Sequence, residues 1–306
     1  MKKHLSTLCL VALLFVGSGL LLYPFVSDYW NSLHQSQVIA GYVQSVSDMN
    51  ADKYARLLRE ATAYNRRITE RGSPDFFPSE EDLQAYYGTL DIDGSGIMGY
   101  IEIDSIGCSL PIYHGTDDAV LQIAVGHIAG TSLPVGGEGT HCVLSGHRGL
   151  PSAKLFTDLD RLGAGDTFVI RTLDEVLTYE VDQIRIVLPS DVSALTIEPG
   201  ADLCTLVTCT PYGVNSHRLL VRGHRIPNAR VVTIRVSADA LVMDRALAAP
   251  IFAAPLLFIW LLWMIADTNR KERTNRVRKK LGLDLRSLEE GEGRWQSVHR
   301  KLKKVL

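Results

Sequence analysis

Thr205-Leu206-Val207-Thr208-Cys209-Thr210-Pro211-Tyr212-Gly213-Val214-Asn215-Ser216-His217-Arg218 is the stretch on which the reading of the chain turns. Leu203 to Cys209 and His217 to Val221 are two short β-rich runs. The seven residues between them hold a Pro-Tyr-Gly turn signal, which predicts an antiparallel hairpin. Such a hairpin sets Cys209 nearly opposite Arg218. Side-chain alternation puts Cys209 on the face of Val207 and Thr205 and turns Cys204 the other way. A thiol at a strand end facing a guanidinium is an arrangement in which fixed positive charge stabilises a thiolate, or the oxyanion that it generates.

Working outward from the hairpin, short β-rich runs follow one another from Ile97: Met98 to Ile103, Leu110 to Tyr113, His141 to Leu144, Thr167 to Arg171, Leu177 to Val187, Asp202 to Thr208 and His217 to Val221. Gly, Pro, Asp and Asn punctuate the gaps, as in Gly136-Gly137-Glu138-Gly139 and Gly163-Ala164-Gly165-Asp166. This spacing implies a closed or sandwich-like β domain rather than βαβ units. Val231 to Val236 is a candidate last strand. Upstream, Ile39, Val43, Val46, Leu57, Leu58, Ala61, Tyr64 and Ile68 recur at helical spacing, predicting one or two amphipathic helices from about Ser36 to Thr69. Arg71-Gly72-Ser73-Pro74-Asp75-Phe76-Phe77-Pro78 breaks the pattern, and Ser79-Glu80-Glu81-Asp82 opens another helix. The adjacent phenylalanines read equally as a docked connection or as a flap over a cleft.

The chain has 306 residues and a net charge of −2, unevenly placed. Leu5 to Val26 and Ala246 to Ala266 carry no charged side chain, and each is long enough to cross a hydrocarbon layer as a helix. Lys2 and Lys3 precede the first, Asp28 is the first charge after it, and Arg270, Lys271, Arg273, Arg276, Arg278, Lys279 and Lys280 follow the second. By the positive-inside rule both termini are cytoplasmic and the middle lies outside. A cleaved signal peptide is the rival for the first span, but no Ala-x-Ala-like site follows it, which favours an uncleaved anchor.

Of five cysteines, Cys9 falls in the first span. The other four lack metal-ligand spacing, and Cys108, Cys142 and Cys204 read as buried free thiols. Cys209, facing Arg218 at a strand end, is the candidate reactive thiol, and a nucleophilic cysteine needs a base or an ion-pair partner. Among nine histidines, His4 and His299 fall on the cytoplasmic side, His34 lies beside the membrane, and His217 and His224 do not fit the Arg218 face. His114, His127, His141 and His147 remain open. His147, between Gly146 and Gly149 at the end of a strand, is the one with an exposed, approachable setting.

Thr205-Leu206-Val207-Thr208-Cys209 with Arg218 resembles the TLxTC…R signature of the sortases, cysteine transpeptidases of Gram-positive cell surfaces. Ile97-Met98-Gly99-Tyr100-Ile101-Glu102-Ile103, Leu110-Pro111-Ile112-Tyr113-His114-Gly115-Thr116, Gly130-Thr131-Ser132-Leu133-Pro134, Ser145-Gly146-His147-Arg148-Gly149-Leu150-Pro151 and Thr208-Cys209-Thr210-Pro211-Tyr212-Gly213 resemble the class C, pilus-building branch. The resemblance spans about Leu90 to Pro227. It implies a mostly β fold: a closed sortase-type β-barrel of about eight strands, with N-terminal helices and two flanking transmembrane helices. It assigns the nucleophile to Cys209, the histidine to His147 and the arginine to Arg218. Class C enzymes often carry an Asp-Pro-aromatic lid. Here the order is Pro74-Asp75-Phe76-Phe77, so Asp75 and Phe76 take the anchoring parts in an altered register.

The resulting organisation is a cytoplasmic stub and anchor at 1–30, an extracellular helical region at 31–95 with a candidate lid at 73–78, a catalytic barrel at 96–236, a second transmembrane helix at 237–268 and a basic cytoplasmic tail at 269–306. The implied reaction cleaves an LPxTG-like signal of a secreted pilin or surface protein between Thr and Gly. A lysine amine of a pilin subunit then resolves the thioacyl enzyme. No cofactor, metal or nucleic acid is expected. Water as acceptor would make a hydrolytic cysteine protease, and wall anchoring or a non-catalytic scaffold are the other readings.

Overall fold

The computed structural model describes residues 2–228 and scattered helical positions between 258 and 274. Three helices precede the barrel: α1 (Lys2–Ser47), α2 (Ala51–Arg71) and α3 (Glu80–Tyr87). The first apolar run and the first amphipathic run are one unbroken helix, α1, with Pro24 inside it. Val11–Ser47 is long and apolar enough to cross a membrane. Asn50 starts α2 by accepting from the Lys53 amide, and Gly72, at φ 77°, ends it in the left-handed conformation that only glycine adopts cheaply. Its apolar stripe buries Leu57, Ala61, Tyr64 and Ile68. Burial of a side chain such as Leu57 contributes about 2 kcal/mol. Asn65, buried in the same stripe, is satisfied by pairing with both backbone groups of Leu133 at 3.0 and 2.6 Å.

The barrel strands are β1 (Ile97–Ile103), β2 (Cys108–His114), β3 (Val125–His127), β4 (Thr140–Ser145), β5 (Thr167–Thr172), β6 (Glu175–Val187), β7 (Asp202–Thr210) and β8 (His217–Ile226). They close in the order β1-β2-β3-β4-β7-β8-β6-β5. The β2–β3 and β4–β7 pairs are parallel and the others antiparallel. Seven strands fall on the β-rich runs of the sequence; the eighth, β3, spans three residues and carries too few positions to show a period.

Inward-facing Met98, Ile101, Ile103, Ile112, Leu144, Phe168, Ile170, Tyr179, Cys204, Leu206 and Val221 form the interior. Phe168 and Tyr179 stack with centroids 5.4 Å apart, and Gly223 makes room for them: a Cβ there would lie 2.8 Å from the Phe168 ring. A second, smaller cluster of Val143, Leu195, Val207 and Leu220 sits on the opposite side of the sheet, as alternation along β4, β7 and β8 requires. Cys108, Cys142, Cys204 and Cys209 are free. Cys142 and Cys204 are buried as expected. Cys108, at the start of β2, is only partly buried by surface area, although it packs on the core and burial pushes its thiol up to about 12.

The candidate strand at Val231 to Val236, most of the second apolar run from 246 to 266 and most of the basic tail lie outside the described residues. The chain divides into units at 1–236 and 237–306. In the second unit the described positions are helical, with Phe258, Trp260 and Trp263 exposed.

Candidate active site

The hairpin at the centre of the sequence is β7–β8, and its register pairs Cys209 with Arg218. On the other side of β8, Arg218 pairs with Val187 of β6. Cys209 and Arg218 therefore stand side by side at the end of the sheet, on the face shared with Val207 and Leu220 and outside the interior that holds Cys204.

His147 arrives from the neighbouring strand. β4 runs parallel to β7 with Ser145 opposite Val207. The contact continues past the end of β4, because the Gly146 amide donates to the Val207 carbonyl at 3.0 Å and the Thr208 hydroxyl donates to the Gly146 carbonyl at 2.8 Å. His147 follows two residues after Ser145, as Cys209 follows two residues after its partner Val207. The three residues thus occupy one end of three adjacent strands, and all three are partly exposed. Gly146 is required at this point because the buried Phe156 ring fills the space where a Cβ would go.

The Arg218 guanidinium donates to the carbonyls of Asn215 and His217 at 3.3 and 3.2 Å, and no carboxylate pairs with it among the described residues. Its charge is left available to an oxyanion or a substrate carbonyl. The loop after His147 is braced: Arg148 pairs with Asp160 and lies over the Tyr212 ring at 5.9 Å, and the Gly149 amide donates to Thr157 at 3.1 Å. The Tyr212 ring sits where a Gly149 Cβ would project, so the loop after β4 and the turn between β7 and β8 form one packed wall.

The competing histidines are structural. His114 faces the Gly96 and Thr89 carbonyls, and His141 faces the Thr196 carbonyl and the Thr205 hydroxyl. Burial lowers the basicity of both rings, against the opposing pull of these backbone carbonyls. His127, wholly buried, bonds to Tyr86 and the Ser132 carbonyl. His141 is the second residue of β4, and His147 lies two residues past the strand's other end.

Phe76 packs on the small outer cluster together with Ile128, Val187 and Ala194. Asp75 anchors that segment: its carboxylate pairs with Arg71 at 2.8 Å and accepts from the Phe77 amide at 3.1 Å, while its own amide donates to the Gly130 carbonyl at 3.0 Å. Phe77 is 93% exposed. The cluster that Phe76 packs against joins Val143 of β4, Leu195, Val207 of β7 and Leu220 of β8, residues that are distant in sequence. Among the described residues no group of His, Cys, Asp and Glu is arranged to hold a metal.

Residues 101–226 match the family profile described as Sortase domain. The chain is 30% identical to sortase D of Bacillus subtilis (strain 168) over 193 residues, 62% of this chain and 92% of that protein. The crystal structure of sortase C1 from Streptococcus agalactiae is 48% identical, with a TM-score of 0.62, covering 63% of this chain and all (100%) of the other. A lid mutant of sortase A from Corynebacterium diphtheriae is 40% identical at a TM-score of 0.56, covering 59% of this chain and 97% of that one. With most of the length of these relatives matched and the barrel reproduced, the chain belongs to the sortase family of cysteine transpeptidases, and within it to class C.

Proposed function

We propose that Cys209 is the nucleophile, His147 the proton carrier and Arg218 the oxyanion support of a transpeptidase that joins pilin subunits. The observation that carries this reading is the Cys209–Arg218 cross-strand pair at the exposed end of β7–β8; the parallel β4–β7 pairing, which runs to Ser145–Val207 two residues before His147 and Cys209, supports the histidine's part in it. The Cys209 thiolate attacks the Thr–Gly carbonyl of an LPxTG-like signal. The C–N bond breaks, the departing glycine nitrogen takes a proton from His147, and a thioester remains on Sγ. A lysine amine of a second subunit attacks that thioester and gives its proton to His147. An isopeptide bond forms, and the thiolate is released. Arg218, unneutralised by any carboxylate among the described residues, stabilises the oxyanion of both tetrahedral states; one such donor contributes about 3 kcal/mol.

Asp75 and Phe76 form the cover of this site: the Asp75 anchor and the seat of Phe76 on the outer cluster support that role. The neighbouring structure named as a lid mutant belongs to a protein of the same fold. The apolar part of α1 anchors the enzyme in the membrane, with a second span downstream, both ends cytoplasmic and the barrel outside, as the placement of Lys2, Lys3 and the basic residues from Arg270 suggests.

The test is product analysis with an LPxTG-type peptide and a lysine-bearing pilin acceptor. Ligated product from the wild type, none from Cys209→Ala, and a loss on the order of a hundredfold or more in Arg218→Ala are expected. Hydrolysis without ligation for every acceptor would instead make the enzyme a protease, and monomeric wall-linked product would make it an anchoring enzyme.

A further inference from the structure

Two polar side chains at the start of the extramembrane part of α1 are not used by the reaction, yet both reach the loop that carries His147. The Asp28 carboxylate accepts from the Lys154 amide at 2.7 Å, and the Asn31 side chain donates to the Ser152 carbonyl at 2.7 Å. These contacts join positions more than a hundred residues apart. They lie just past the apolar run: Asp28, the first charged side chain after it, is two residues and Asn31 five beyond Val26, roughly 3 and 7 Å along the helix.

The loop transmits whatever these bonds impose. The Phe156 amide donates to the His147 carbonyl at 3.1 Å, so His147 sits directly against the turn that holds Lys154. The Thr157 amide donates to the Lys154 carbonyl at 2.8 Å, and the Lys154 ammonium pairs with Asp158 at 2.8 Å. Between the end of β4 and the helix α1 there is thus a short, closed piece of chain. One edge is fixed to β7 through Gly146 and the other to α1 through Ser152 and Lys154.

We infer that Asp28 and Asn31 are positioning residues that act through the 147–157 loop, so that the emerging membrane-anchor helix sets the placement of His147. The inference rests on the proposed role of His147. It makes the catalytic geometry depend on helix turns that a domain cut free of its anchor would lose. It also holds the His147 loop beside the point where the chain leaves the apolar layer.

The full chain in lipid nanodiscs tests this with Asp28→Leu, Asn31→Leu and the double variant, beside the conservative Asp28→Asn, which keeps the accepting oxygen. In the double variant kcat falls on the order of ten- to a hundredfold with KM nearly unchanged. Amide exchange quickens across 148–157, with the Lys154 amide leading, while β7 and β8 keep their protection. Asp28→Asn stays close to wild type in both readouts. Wild-type kcat and unchanged exchange in the double variant would overturn the inference. So would a uniform loss of protection across the barrel, which marks a merely structural role. His147→Ala, run alongside, separates the two readings. Wild-type turnover in it would remove the proposed role of His147 and this inference together. An inactive His147→Ala beside an unaffected double variant would sink the inference alone.

Discussion

Gly146→Ala is the smallest change that should misplace His147 while leaving every reacting group in the protein. A methyl at this position would lie 2.6 Å from Cδ2 and 2.9 Å from Cγ of Phe156, closer than carbon atoms pack. Phe156 has no exposed surface into which to retreat, and its amide holds the His147 carbonyl at 3.1 Å. Gly146 itself is tied on both sides to Val207 and Thr208. The strain therefore moves the ring and, through it, the histidine loop. Overpacking of this kind costs about 2 kcal/mol. At roughly 2–4 °C per kcal/mol for a domain of this size, the melting temperature falls by about 4–8 °C. Displacing His147 by about 1 Å lowers kcat on the order of a hundredfold, more than the stability loss accounts for. Removing the obstacle should relieve both effects, so Phe156→Leu in the Gly146→Ala background recovers stability and turnover relative to Gly146→Ala alone. The assay is a double-mutant cycle read by chemical denaturation and by turnover of an LPxTG-type peptide, with an expected coupling of about 1 kcal/mol or more. Additive effects, or a Gly146→Ala enzyme with wild-type kcat, would refute the claim that Phe156 and Gly146 jointly seat the histidine.

Three further predictions concern the cover, pH and the buried network. Phe76→Ala, and to a smaller degree Asp75→Ala, should speed alkylation of Cys209 by a small thiol reagent, because the first removes the aromatic seat and the second its anchor; unchanged rates in both would argue against a cover. Burial lowers the basicity of His114 and His141, so the unfolded chain binds more protons than the folded one below the ordinary histidine value of about 6.5. The stability tied to these lowered values is complete above the ordinary one and is lost as pH falls through it towards the folded values; denaturation at about pH 5.5 should need less denaturant than at about pH 7.5, and the reverse order would contradict the lowered basicity. Tyr86→Phe deletes a buried hydroxyl that bonds to the Gly115 amide at 2.9 Å and to His127 at 3.0 Å, and should cost about 1–3 kcal/mol in the same measurement, an indistinguishable midpoint being the contrary result.

How much of the site could be read from the chain follows from the distance over which each contact is made. Cys209 and Arg218 lie on one hairpin, so strand composition, the turn signal and alternation sufficed to set them opposite each other, as their register confirms. His147 is sixty-two positions before Cys209 and belongs to a parallel pair, which has no connecting turn to betray its register. From the residues alone it stood among four histidines; the resemblance singled it out, and the β4–β7 pairing runs to within two residues of it and of the thiol. The other three are recognisable as structural only because their ring nitrogens are seen to be occupied inside the fold.

Composition and periodicity by themselves determined the N-terminal apolar helix, the amphipathic helix after it, seven of the eight strands and the hairpin that pairs Cys209 with Arg218. Each is written in the spacing of neighbouring residues, where local backbone geometry and burial leave a repeating trace. Only the tertiary structure decided which strands meet in parallel and that α1 runs unbroken from the apolar segment to the barrel. The seat of Phe76 on the small outer cluster and the grip of Asp28 and Asn31 on the histidine loop also belong to that level. Those contacts join residues from different elements through single packing or hydrogen-bond partners. A single partner leaves no period in the chain, so only closure of the barrel brings it into view.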